Sequence, residues 1–303
     1  MATEALVNKI IPFSSVDGPG NRTAIFLQGC NFDCLYCHNP ETIHLCVSCG
    51  ACVETCPVQA LTWVDEPEDM SHVHHSDGAW QEKNRLRRGH VAYDFDKCVL
   101  CDACIKTCTH GSSPRIRHMT AEQVMEAVRR QVPYIRGITV SGGECTRQRD
   151  FLAELFSIAR AEGLDCLLDS NGTLDFSKDP ELTAVTDGVM LDIKAYGAQD
   201  HRMITGRDNG QVLSGARYLA GLGKLPEIRT VIVPGLFNGE ETVRRTAEML
   251  KPYLEIAPIR YKLIKYRPMG VRKEYALYRT PDDTYMGKLK EMVIAMGFDA
   301  VIA

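Results

Sequence analysis

The sequence predicts an α/β fold: a partial (β/α)6 barrel, interrupted after its first strand by a small inserted α+β domain. Two observations carry this. Short apolar runs alternate with helical patterns about six times, which implies a parallel sheet, open or partly closed. Eleven of the thirteen cysteines crowd between residues 30 and 108 and break that alternation. At 303 residues the chain can bury a large core in one or two domains.

Six segments read as strands: "RTAIFLQG" (22–29), "GITVSG" (137–142), "DCLLDS" (165–170), "DGVMLDIK" (187–194), "EIRTVIVPG" (227–235) and "RYKLIKY" (260–266). Each is short, rich in Val, Ile and Leu, and stops in polar or glycine residues, as buried parallel strands do. Helical patterns lie between them. One opens at Thr120 with Gln123 three residues on, a capping-box signal. The others span roughly 148–163, 211–222, 239–251 and 281–296. A closed eight-stranded barrel needs two more units than these. The insert is placed at 44–112, leaving 1–43 and 113–303 for the barrel.

Hydrophobic content of 45%, charged content of 24% and a net charge of −4 describe a globular protein. With no long basic run, neither nucleic acid nor an anionic membrane is an expected partner. There is no apolar run of about 18 residues and no signal-peptide pattern, so a cytoplasmic location is expected. Cysteines in that compartment are metal ligands more often than disulfides.

Two runs share one pattern, C-x2-C-x2-C-x3-C: "CVSCGACVETCP" (46–57) and "CVLCDACIKTCT" (98–109). This is the bacterial ferredoxin run, whose fourth cysteine ligates the other cluster. Cys46, Cys49, Cys52 and Cys108 are therefore assigned to one [4Fe–4S] cluster, and Cys98, Cys101, Cys104 and Cys56 to a second. Pro57 follows the fourth cysteine of the first run, and Thr109 takes that place in the second. A pair of zinc knuckles is the lesser alternative, since zinc sites usually show two CxxC pairs or Cys/His mixtures. The charged stretch 64–90 reads as an exposed loop, with His72, His74 and His75 as surface residues rather than ligands.

Cys30, Cys34 and Cys37 remain, in "GCNFDCLYCHNPE" (29–41). A closed site wants four ligands; three leave one position open, as catalytic metal sites do. C-x3-C-x2-C at the end of a first strand resembles the signature of radical S-adenosylmethionine (SAM) enzymes. The resemblance implies a third [4Fe–4S] cluster whose open iron is chelated by the methionine part of SAM. Reduction would then release a 5′-deoxyadenosyl radical. Tyr36 stands where the family has an aromatic. "SGGE" resembles the motif that binds the SAM amino group: Gly142 and Gly143 allow close backbone approach, and Glu144 is a natural partner for an ammonium. Asp169, Ser170 and Asn171 are candidates for ribose or carboxylate contacts, and Lys194 for the SAM carboxylate. Arg267, in "YRPMG" (266–270), stands where some relatives have a SAM-contacting histidine. Cys145 replaces the usual proline after GGE, and it and Cys166 read as small packing residues.

"SSVDGPGNR" (14–22), directly before the first strand, resembles the signature of glycyl radical enzyme activases. With "TGRDN" (205–209) and "VIVPG", it brings the chain nearest the YjjW-type branch. The resemblance implies that Asp17 and its glycines receive the glycine loop of a partner glycyl radical enzyme. It also implies a flavodoxin or ferredoxin as electron donor. A monovalent cation beside the SAM carboxylate would be held by Asp169, Ser170, Met190 and Asp192. Two other readings stand beside this one: a radical SAM maturase acting on another side chain or a small molecule, and a plain ferredoxin-type electron carrier. SAM binding separates the last from the others, and a glycyl radical in a partner separates the first from the second.

Overall fold

In the computed structural model, which describes residues 3–65 and 89–303, a nine-stranded mixed sheet is the frame. In chain order its surroundings are β1 (Glu4–Ser14), β2 (Arg22–Leu27), β3 (Leu61–Asp65), β4 (Gly89–Tyr93), α1 (Ala103–Thr107), β5 (Arg117–Thr120) and α2 (Ala121–Arg129). There follow β6 (Gly137–Gly142), α3 (Arg149–Ala161), β7 (Asp165–Ser170), α4 (Pro180–Val185), β8 (Gly188–Asp192), α5 (Ala198–Thr205) and α6 (Gly210–Gly221). The chain closes with β9 (Glu227–Ile232), α7 (Gly239–Leu250), β10 (Arg260–Lys265), α8 (Asp283–Ala295) and β11 (Asp299–Ile302).

The sheet order is β11-β10-β9-β8-β7-β6-β2-β1-β5. From β2 to β11 every pair is parallel, and each crossover between sequence neighbours after β6 carries at least one helix. The six expected strands are all present and adjacent in that order. Three more were not read from the sequence. β1 pairs antiparallel with β2, β5 pairs antiparallel with β1, and β11 extends the far edge. Thus the strand at 22–27 is the second of the sheet. β1 is missed by pattern because its burial does not alternate strictly and its ladder is twice broken by register shifts. Thr120 does form the expected capping box with Gln123.

Alternation along the parallel strands sorts two environments. Val140, Cys166, Leu168, Val189, Leu191 and Ile228 point to the helices and join the main core. Thr139, Asp169, Met190, Asp192 and Arg229 occupy the opposite, concave face. Functional groups in such folds gather where parallel strands end, and here those ends lie on one edge.

Arg22 ties the DGPG segment to the bottom of the sheet. It is fully buried. Its guanidinium donates to the carbonyls of Pro19 (3.1 Å), Ile138 (3.0 Å) and Asp165 (2.9 Å) and to Thr139 Oγ1 (2.9 Å). Thr139 in turn donates to the Asp17 carbonyl at 2.6 Å. Gly18, at φ +125°, lies against Arg22, Leu167 and Met190, so the segment tucks into the concave face.

The cysteine-rich segment leaves and rejoins the frame at one place: His44 bridges Ser112. Within it β3 and β4 form a separate antiparallel pair. His72, His74 and His75 lie outside the described residues. No helix among the described residues is long and apolar enough to cross a membrane.

Arg22→Met should lower the unfolding free energy by roughly 3–5 kcal/mol, because it strands buried acceptors and leaves the DGPG turn untied. Anaerobic urea denaturation followed by circular dichroism checks this, and a loss under 1 kcal/mol would contradict the role given to Arg22.

Candidate active site

The loop bearing Cys30, Cys34 and Cys37 springs from the end of β2. The N–H groups of Gly29 and Cys30 donate to the carbonyls of Thr42 (2.8 Å) and Ile43 (2.9 Å), closing the loop at its neck. Farther out, the Asp33 and Leu35 N–H groups donate to the Thr205 and Ile204 carbonyls at 3.1 and 3.0 Å. These are terminal carbonyls of α5, which a helix cannot satisfy internally. Arg272 pairs with Asp33 at 2.8 Å and donates to the Cys34 carbonyl at 3.1 Å. The His38 ring meets the Arg267 carbonyl at 3.0 Å. The neck at 42–43, helix α5 and the segment 267–272 thus fix the loop.

Burial pushes the Cys30 thiol up to about 11 and Cys34 up to about 12, and it raises Cys37 as well. Three thiolates at neutral pH therefore need added positive charge, which a bound metal group brings. Among the described residues, no three His, Cys, Asp or Glu side chains converge as a single metal ion requires. A four-iron cube asks for one thiolate per iron, which suits three separated cysteines. The loop fits a cluster.

β6 ends against this loop with no space between backbones. A Cβ on Gly142 would lie 2.1 Å from the Leu27 oxygen, and one on Gly143 would lie 2.4 Å from the Gly29 oxygen. Gly142 also sits at φ +125°. The Gly143 and Glu144 N–H groups donate to the Leu27 and Gly29 carbonyls, each at 2.9 Å. Close approach is thus needed within the chain itself. The Glu144 carboxylate is turned inward and only 1% exposed. It accepts from Thr146 Oγ1 (2.6 Å), Thr146 N–H (3.2 Å), Ser170 Oγ (2.8 Å) and Asn171 N–H (2.7 Å). It braces the ends of β6 and β7, and in this form it does not offer its carboxylate to an ammonium.

On the concave face the charges are paired. Asp169 accepts from Ser141 Oγ at 2.9 Å and meets Arg229 at 2.9 Å. Arg229 also donates to Glu227 at 2.5 Å and to the Met190 sulfur at 3.0 Å. Lys194 donates to Asp192 at 2.6 Å. Burial would lower Lys194, but Asp192 and Cys34 hold it well above its ordinary value. Burial raises the Asp169 carboxyl, with Arg229 opposing it. In this cluster three carboxylates, Asp169, Asp192 and Glu227, stand against two cations, Arg229 and Lys194. Ser170 departs from its expected grouping: alternation sends its hydroxyl to Glu144, away from Asp169, Met190 and Asp192.

Asn171 lies between Asn31 Oδ1 (2.9 Å) and the Cys30 sulfur (3.9 Å). Asp17 Oδ2 accepts from Ser14 Oγ at 2.5 Å. Tyr36 is 1% exposed and packs with Val233, Tyr266 and Val271, so its ring supports the loop from behind. The Arg267 side chain is exposed, and only its carbonyl reaches the loop. Cys145 and Cys166 are buried among apolar neighbours, as expected of packing residues. Sequence reasoning missed Arg229 and Arg272. Arg229 was legible as one of two charges, with Glu227, in a short strand rich in Ile and Val; Arg272 sits in an irregular segment with no such signal.

The other eight cysteines separate into two small cavities. One is lined by Cys56, Cys98, Cys101 and Cys104, the other by Cys46, Cys49, Cys52 and Cys108. These are the two sets expected from exchange of the fourth cysteine.

Comparison with known proteins gives matching results. The profile of the Radical SAM superfamily matches residues 94–250, that of a 4Fe-4S dicluster domain matches 45–112, and that of a 4Fe-4S single cluster domain matches 16–61. The chain is 32% identical over 271 residues to the pyruvate formate-lyase-activating enzyme of Streptococcus mutans, covering 88% of this chain and 78% of that one. It is 27% identical to the indoleacetate decarboxylase activating enzyme of Tractidigestivibacter scatoligenes, covering 99% and 97%. Among solved structures, Streptococcus suis SuiB bound to S-adenosylmethionine shares the fold, with a TM-score of 0.50, 16% identity and coverage of 62% of this chain and 44% of that one.

Gly143→Ala should displace the three-cysteine loop, because the new Cβ meets two fixed carbonyls. After anaerobic reconstitution the variant should hold roughly a third less iron than the parent, read by iron assay. Full iron content would show that the loop tolerates the shift.

Proposed function

This chain belongs to the radical SAM superfamily, among the activating enzymes of glycyl radical enzymes, and we propose that the concave edge just described binds SAM and receives the partner's glycine loop. The observation that carries this is the convergence, at one sheet edge, of an open three-cysteine loop with Lys194, Asp192, Asp169 and Arg229. When bound, a [4Fe–4S] cluster with SAM would supply the electron that cleaves the sulfonium C–S bond, yielding methionine and a radical able to take hydrogen from a glycine Cα of the partner.

The chain's own residues do the rest. Cys30, Cys34 and Cys37 hold the cluster. SAM carries two positive groups and one carboxylate, which suits a cluster of three carboxylates and two cations. Lys194 and Arg229 are placed to take the carboxylate. With the Glu144 carboxylate used internally, the ammonium is left to backbone carbonyls of 141–144. A monovalent cation at Asp169, Met190, Asp192 and the Ser170 carbonyl would compete with Arg229 for the same carboxylates. Asp17 and the DGPG segment line the concave face from below and would meet the glycine loop. In this reading 1–43 and 113–303 form the barrel, 44–112 holds two auxiliary clusters, and a flavodoxin or ferredoxin supplies electrons.

Reconstituted protein should contain about 12 iron atoms, three clusters of four. A reproducible value near four would defeat the auxiliary assignment. Reduced protein mixed with SAM and glycyl radical enzymes from the same genome should generate a glycyl radical in one of them, recorded by EPR. Cys34→Ala should abolish both that radical and 5′-deoxyadenosine while keeping about two-thirds of the iron. SAM turnover with no radical in any partner would favour a maturase acting on a different target.

A further inference from the structure

The two auxiliary cavities differ in one respect that bears on electron flow. The cavity of Cys56, Cys98, Cys101 and Cys104 is also lined by Arg115, Asp102 and Tyr93. The Arg115 guanidinium pairs with Asp102 at 2.9 Å, and its side chain is 13% exposed. Burial alone would push it down, but the Cys104 and Cys98 thiolates with Asp102 carry it above the usual arginine value. The cavity of Cys46, Cys49, Cys52 and Cys108 is lined instead by Val91, Pro114 and His110, and among the described residues neither Lys nor Arg lines it.

Each electron added to a cluster adds a negative charge. Net charge and hydrogen bonds to the sulfurs set the potential at which that happens. A fixed guanidinium in a partly desolvated site stabilises the reduced form more than the oxidised one.

We infer that Arg115 makes the cluster of Cys56, Cys98, Cys101 and Cys104 the easier of the two auxiliary clusters to reduce. This rests on the reading that both cysteine sets hold clusters.

The test is an EPR-monitored redox titration of the reconstituted full chain, with Cys101→Ser identifying which auxiliary signal belongs to which set. Arg115→Gln should move the higher of the two auxiliary midpoints to lower potential and leave the other in place. Arg115→Lys should restore most of the shift. Asp102→Asn, which releases the guanidinium from its partner, should move the same midpoint upward, and it decides the matter if Arg115→Gln fails to load. Unchanged midpoints at full iron content, or a shift of the other cluster alone, would overturn the role of Arg115. A parent protein that takes up no auxiliary clusters would overturn the underlying reading as well, and iron assay shows that before any titration.

Discussion

The site depends on backbone lying directly on backbone where β6 ends. Gly143 and Glu144 donate to the carbonyls of Leu27 and Gly29, and no side-chain atom fits between. This contact sets the height of the three-cysteine loop above the sheet. It also turns the Glu144 carboxylate inward, where four donors hold it. The ends of β2, β6 and β7 are thereby fixed to one another before any cofactor arrives. A cluster bound at such a loop inherits its position from hydrogen bonds it does not itself make. That is the preorganisation that radical chemistry needs, since a loosely held radical reacts with whatever is nearest.

The second constraint is alternation. A parallel strand covered by helices on both faces reads as continuously apolar. Here only the helix-facing side is apolar, and the other carries Asp169, Met190, Asp192 and Arg229. The cost of burying these charges is met by pairing them. The same pairing keeps both signs available at the mouth, where a ligand with two positive groups and one negative group must be oriented. Ser170 shows how strictly the rule applies: one residue beyond Asp169, its hydroxyl serves the opposite side.

Much of this was legible in the sequence because cysteine spacing is a direct record of geometry. The exchange of Cys56 and Cys108 between the two auxiliary sets was readable from the runs, and the cavities separate the cysteines in the same way. The six core strands were readable because short runs rich in Val, Ile and Leu that stop in polar or glycine residues have few other uses. What was not legible came from tertiary context. β1 and β11 lie near or at the edges of the sheet and lack a clean period. The glycines of SGGE announce close approach but not what approaches. Glu144 announces a charge but not that neighbours already hold it. Arg272 acts from an irregular stretch with no periodic pattern to mark it.

The bridge between His44 and Ser112 has a structural consequence of its own. The segment carrying eight of the thirteen cysteines departs and returns through a single pair of residues. Its removal would leave two chain ends close enough for a short turn to join, with no strand of the large sheet disturbed. The dicluster part is thus built as a cassette. It can be lost, exchanged or duplicated in evolution, or by an engineer, while the barrel that handles the radical keeps its frame.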